Sequence, residues 1–324
     1  MKTVAFSLFL TVFSIQAQSY PPAAGESGST AIATDSPLFV AWATGITVER
    51  GLVDISNPTT VHMGSNFASF GQPEDALGPA TNSPVSLGDA GVAVLTFSTP
   101  IGDGPGFDFA VFENSFSDTF LELAFVEVSS DGTNYFRFPS HSETQTSTQV
   151  DGFGDLDPTF LNNLAGKYRA LFGTPFDISA LDDDPLLDKN AITHVKIVDV
   201  VGSIAPEYAS YDSFGNAIND PFSTPFWTGG FDLDAVGVIN QGMLSVSEFE
   251  KIQVSIYPNP VAEQLFVKTD QSVNYKIFDI QGREMLSGVS DNNRPVEVFS
   301  LQNGLYVFRV ITEEIKKDLK FIKK

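Results

Sequence analysis

A chain of 324 residues with 29 Phe, 26 Gly and 19 Pro has the apolar mass for sizeable cores and the turn residues of about two globular domains. Its 18 Lys and Arg stand against 40 Asp and Glu, and a net charge of −22 argues against nucleic acid or anionic lipid as a partner. With no cysteine, disulfides, thiolate catalysis, Cys-containing zinc sites and an acylated-Cys anchor are excluded.

In chain order, Lys2 precedes an apolar run over residues 4–13, too short to span a bilayer, followed by Ile15, Gln16 and Ala17. This pattern predicts a secretory signal peptide over residues 1–18, although Ile15 is bulkier than the usual Ala at that position. No later stretch approaches the ~18 apolar residues of a membrane span, so no transmembrane segment is expected in the mature protein.

Residues 19–241 read as an acidic all-β cargo domain. Alternating apolar and polar residues separated by Gly, Asp and Pro turns predict strands over 91–97, 107–114, 121–129, 193–201 and 232–239. A tight hairpin follows Ser130, Asp131 and Gly132. One short helix is expected over 158–164, with Asp157 as cap and Pro158 in the first turn. Residues 202–230 form a long loop rich in aromatic side chains, and loops of that length inside a domain are often functional. Tyr208, Tyr211 and Trp227 are its candidate ligand-binding residues, for an extracellular glycan or small molecule.

Residues two apart in a strand share a face. Asp232 and Asp234 are therefore expected beside Val236 and Val238, Asp199 beside Val195 and Ile197, and Asp108 beside Ala110 and Phe112. A carboxylate entering an apolar face needs a cation or several donors. Only six Lys or Arg lie between residues 19 and 241. Asp108, Glu113, Asp199, Asp232 and Asp234 are accordingly candidate ligands for Ca²⁺. The competing reading is that these Asp bond backbone amides at strand ends. Acidic turns at 151–157, 182–184 and 212–220 are further cation candidates, but none has the EF-hand spacing. His62, His141 and His194 sit in no nucleophile or metal motif, and carboxylate pairs are too abundant to identify a hydrolase.

The texture changes past residue 241. Residues 1–244 hold 7 Lys and Arg against 29 Asp and Glu (−22), whereas residues 245–324 hold 11 of each. A linker is expected over 242–252 and a small immunoglobulin-like β-sandwich over 253–324. Its signals are Tyr257, Pro258, Asn259 and Pro260 at the start, a hairpin turn at Gly282, the strand opening at Gly304 with Tyr306, and a lysine-rich end. In that order and spacing these pieces resemble the type A sorting domain of Bacteroidetes type IX secretion cargo. The resemblance implies export through the outer membrane, recognition by the type IX translocon and its sorting machinery, and cargo that is released or held at the outer surface.

The cargo resembles a jelly-roll β-sandwich of the galactose-binding type. The phrases at 86–88, 108–114, 126–132 and 230–236 also resemble an uncharacterised group of bacterial cell-surface proteins, some of which accompany outer-membrane uptake systems. Four functions follow as expectations: a non-catalytic, calcium-containing binding module, an accessory for uptake of a cofactor such as cobalamin, a glycan hydrolase, and a purely structural or adhesive surface protein. The residues rank the first ahead and lean against enzymatic activity.

Overall fold

A computed structural model describes residues 20–242, 254–269, 272–290, 294–311 and 316–324. The expected signal peptide, and all but the first residue of the expected linker, lie outside the described residues. The chain divides into two compact units, Met1–Leu244 and Ser245–Lys324.

The first unit contains β1 (Ile32–Ala33), β2 (Ala41–Trp42), β3 (Gly45–Glu49), β4 (Val85–Ser86), β5 (Val92–Ile101), β6 (Phe109–Glu113), β7 (Ala124–Ser129), β8 (Phe136–Arg137), β9 (His141–Ser142), β10 (Leu161–Asn162), β11 (Phe172–Phe176), β12 (Ile192–Asp199) and β13 (Asp232–Val238). One sheet runs β1-β11-β6-β13-β2, with β4 also on β13, and a second runs β3-β5-β12-β7-β8. Alternation in β12 turns Val195 and Ile197 inward, where they pair with Leu95 and Val128, and with Ala93 and Val126. These side chains share one core with Phe109, Val111, Phe176, Leu233, Val236 and Val238 of the first sheet, which makes a β-sandwich. Each fully buried side chain of this kind contributes roughly 1.5–3 kcal/mol.

β13 is buried along its whole length because Phe39 and Trp42 cover its outer side against Ala110, Phe112 and Ala235. A bulge interrupts it: Leu233 stands opposite Glu113, but Ala235 stands opposite Phe112. The simple parity reading fails here. Val236 and Val238 join Leu233 in the core between the sheets, whereas the Asp234 carboxylate leaves for the 81–83 loop.

The helix expected over 158–164 is corrected to a single 3-10 turn, Pro158–Phe160. Asp157 does cap it, accepting from Thr159 N at 2.9 Å. Leu161 and Asn162 then pair with Ser142 and His141 instead of continuing the turn, and Leu161 is fully buried. A lone capped turn without a helical apolar stripe does not outcompete strand pairing. Among the described residues, no helix is long and apolar enough to cross a membrane.

The second unit comprises β14 (Ser255–Tyr257), β15 (Gln264–Lys268), β16 (Val273–Asp279), β17 (Glu284–Ser290), β18 (Val296–Glu297), β19 (Gly304–Ile311) and β20 (Lys316–Lys323). They form the sheets β14-β15-β18 and β17-β16-β19-β20. Val261, Leu265, Ile277, Phe308 and Phe321 are fully buried in its core.

Candidate functional site

Buried charge collects at one end of the first sandwich. β6 and β12 end there at Glu113 and Asp199, β13 starts there at Asp232, and Glu122 lies just before β7. One carboxylate oxygen from each of Glu113, Glu122 and Asp232 lies within 4.8 Å of the other two. These residues are 1%, 8% and 7% exposed.

Few donors serve the three carboxylates. Glu113 Oε2 accepts from Ser115 N at 2.7 Å, and Asp232 Oδ1 accepts a short bond from Ser86 Oγ. Asn114 lies between them: with its nitrogen turned inward it donates to Asp232 Oδ2 and Glu113 Oε1 at 3.2 Å each. Asp220 adds to the negative field on Glu113 and Glu122. It is 3% exposed; Oδ2 accepts from Leu123 N at 2.8 Å, and Oδ1 has no hydrogen-bond partner.

Burial, and then the charge of Asp232, pushes the Glu113 carboxyl well up. Burial does the same to Glu122, with Asp232 and Glu113 adding to it. Asp232 is pushed up to about 7 by burial, against the opposing Ser86 bond and the positive charge of Arg50. Charge on these groups is therefore unfavourable unless a cation joins them.

The six basic side chains between residues 20 and 242 are committed elsewhere. Arg50 donates to the carbonyls of Phe70, Gly71 and Ser86 at 2.6–2.7 Å. Arg137 and Lys196 both bind Glu127, Arg169 binds Asp118, Lys189 binds Asp183, and Lys167 donates to the Leu161 carbonyl. None forms an ion pair with Glu113, Glu122 or Asp232.

Of the five expected metal ligands, the structure brings Glu113 and Asp232 together. Asp199 accepts from Phe231 N at 2.7 Å and Ala90 N at 2.9 Å, holding two loops in place. Asp234 accepts from the amides of Thr81, Asn82 and Ser83 at 2.9–3.4 Å. Asp108 sits at the opposite end with Asp103 and Asp177. There it is satisfied by Gly104 N, Ile178 N and Asn240 Nδ2 at 2.7–2.9 Å. Sequence reasoning missed Glu122; the available signal was a single carboxylate inside the apolar run Leu121, Leu123, Ala124, Phe125. The acidic turn at 212–220 closes on itself, as Asp212 accepts from Ser142 N, Phe214 N and Asn216 N at 2.9–3.0 Å.

The aromatic candidates do not form one platform. Trp227 meets Phe70 edge-on at 5.2 Å, its amide donates to His62 Nδ1, and its carbonyl accepts from Ser69 N and Phe70 N. Tyr211 is 47% exposed and bridges to Ala217, while Tyr208 sits in a turn closed on the Ala205 carbonyl. Ring contacts run instead through Phe116, Phe120, Phe153 and Phe226 to His62, at 4.5–6.0 Å. Phe116 and Phe153 are 75% and 66% exposed. The loop bearing Phe116 and Phe120 is tied to the carboxylates, because Ser115 bonds both Glu113 and the Phe120 carbonyl.

In the second unit, Asn259 fastens the opening motif to the last strand: Nδ2 donates to the Lys320 carbonyl at 3.1 Å, and Oδ1 accepts from Ile322 N at 2.9 Å. The bonds before Pro258 and Pro260 are cis. Tyr257 stacks on Phe266, and Tyr306 stacks on Phe321 while donating to the Gln302 carbonyl. Gly282 takes a φ of +78° in the β16–β17 turn, where Asp279 accepts from Gln281 N and Arg283 N. Gly304 opens β19 opposite Lys323.

Residues 255–324 match the secretion system C-terminal sorting domain family. Among solved structures, the chain is similar to a β-glucuronidase from Ruminococcus gnavus in complex with uronic deoxynojirimycin, at 10% identity over 88% of this chain and 44% of that one, with a TM-score of 0.23. It is also similar to the Parabacteroides merdae β-glucuronidase with glycerol in its active site, at 11% identity over 95% of this chain and 36% of that one, with a TM-score of 0.21. The chain spans less than half the length of either enzyme, and likenesses at these scores carry no argument about this protein. No curated protein matches it. The sorting tail marks the protein for type IX export, to the cell surface or the medium, and makes the type IX machinery its partner.

Proposed function

We propose that the cargo carried out by this sorting domain is a non-catalytic binding module, a jelly-roll sandwich in which Glu113, Glu122 and Asp232 hold a calcium ion. Beside the ion, the aromatic loops meet an extracellular glycan or small molecule. The observation that carries this reading is three converging buried carboxylates, none of them in an ion pair with the six basic side chains described between residues 20 and 242. The three ligand atoms are all carboxylate oxygens, and hard oxygen donors suit Ca²⁺. The burial of all three carboxylates favours holding an ion over acid–base work on a substrate, which requires reach to the reacting atoms.

Thermal unfolding of the full chain in calcium and in EDTA tests the reading. Saturation at a hundred times Kd stabilises by about 2.7 kcal/mol, or roughly 5–10 °C in a sandwich of this size. Glu113→Gln and Asp232→Asn are expected to abolish that increment, and Asp234→Asn to retain it. Identical Tm values in calcium and EDTA would overturn the reading.

A further inference from the structure

The solvent side of the second sheet carries a cleft that shares no residue with the carboxylate cluster. Strand register builds it. Thr47 pairs with Val94, Val94 with Lys196, Lys196 with Glu127, and Glu127 with Arg137, so one row of side chains crosses all five strands. Two residues along, Glu49, Val92, Val198 and Phe125 form a parallel row. The residues between the rows, Ala93, Ile197 and Val126, point into the core, so both rows face outward. The rows, Phe125 apart, line a concavity of about 390 Å³, a volume in the range of small-molecule sites.

The chemistry of this cleft is unusual for so acidic a unit. Arg137 donates through Nε and Nη2 to Glu127 Oε1 at 2.9 and 2.7 Å, and Lys196 Nζ meets Glu127 Oε2 at 2.5 Å. The guanidinium lies 4.1 Å from the Phe125 ring centroid, and the Lys196 ammonium 4.0 Å from that of Tyr135. Two cations are thus held in fixed positions, which lowers the entropy lost when they meet a further acceptor. Glu49 and Thr47 are exposed on the far side, and half-buried Val92, Val94 and Val198 form the floor. Arg137 and Lys196 balance Glu127 and Glu49, so the cleft is formally neutral. Neither an anion nor a cation is favoured there; a neutral ring with an apolar C–H face and a hydroxyl rim is.

We propose that this cleft binds a neutral saccharide. Its ring face rests on Val92, Val94 and Val198, and its hydroxyls reach between Arg137 and Lys196 on one side and Glu49 and Thr47 on the other. The proposal deepens the binding-module reading, but it does not depend on the calcium ion. Native gels cast with mixed-linkage glucan, galactomannan, xylan or soluble starch test it on the full chain, with alginate as the anionic control. Retardation by at least one neutral gel is expected, undiminished by EDTA. Val94→Trp, which fills the floor, is expected to weaken it about tenfold or more. The exposed Glu49→Ala is expected to weaken it severalfold at unchanged Tm. Unchanged mobility in every neutral gel overturns the proposal, as does retardation by alginate alone or retardation that both variants leave intact. Retardation abolished by EDTA moves the saccharide to the ion site and overturns this cleft while sparing the earlier reading. A calcium-dependent Tm shift without retardation does the same.

Discussion

At Glu113, Glu122 and Asp232, protons and a divalent ion compete for the same oxygens. Burial raises the folded-state affinity of these carboxyls for protons, to about 7 at Asp232, while an unfolded Asp titrates near 3.9. Asp89 follows the same direction, pushed up to about 6 by burial. The folded state therefore binds more protons than the unfolded state between about pH 4 and pH 7, so metal-free stability falls as pH rises through that window. Thermal melts in EDTA across this range are expected to show a falling Tm. Saturating calcium flattens the fall by replacing the protons, and Asp232→Asn reduces the EDTA slope. A Tm that rises with pH in EDTA contradicts this account. Asp108 and Asp234 lie outside the cluster, held by the backbone amides of Gly104 and Ile178 and of Thr81, Asn82 and Ser83.

At the scale of elements, the ion site depends on how strand ends and loops are pinned. Gly230 takes a φ of +72°, and a Cβ there would stand 2.8 Å from both Asp199 Oδ1 and Gly88 Cα. That approach seats the 202–230 loop against the 88–90 turn, two residues before Asp232. Gly230→Ala is therefore expected to cost more than about 1 kcal/mol, lowering Tm by several degrees. It should also weaken calcium binding in a titration, since it displaces the start of β13. A control at Gly215, where φ is also positive but a Cβ meets open space, separates local strain from the close approach. The bulge in β13 acts at the same scale: one residue out of register sends Asp234 away from the core and leaves Asp232 next to Glu113.

For the whole molecule, acidity and addressing are divided between the two units. The first carries the entire excess of negative charge, 7 basic against 29 acidic residues over 1–244, and the second is balanced at 11 of each. The family match lies wholly within the second unit. Removing residues 255–324 in a host with a working type IX system is expected to leave the cargo inside the cell envelope. Immunoblots of envelope, surface and medium fractions would show this, and undiminished delivery to the surface or medium would refute it. The retained cargo should still show its calcium-dependent Tm shift, because every ligand of the proposed site lies between residues 86 and 232.

Much of this was legible in the residues alone, for a local reason. The sorting domain could be recognised because Tyr257, Pro258, Asn259, Pro260, Gly282, Gly304 and Tyr306 shape turns and strand starts within a few residues of themselves. The all-β character of both units followed from period-two alternation, which the pleat imposes on any half-buried strand. Glu113 and Asp232 stood out as carboxylates at the ends of apolar strands. Tertiary structure alone decided the rest. Which strand ends meet is a matter of sheet pairing, so Asp232 reaches Glu113 and Glu122 from more than a hundred residues along the chain. One bulge reverses parity, and amides from the 81–83 and 102–108 loops claim Asp234 and Asp108. The engagement of the six described basic side chains, which leaves the cluster without an ion pair and only the field of Arg50 on Asp232, is a property of three-dimensional neighbours that no spacing along the chain records.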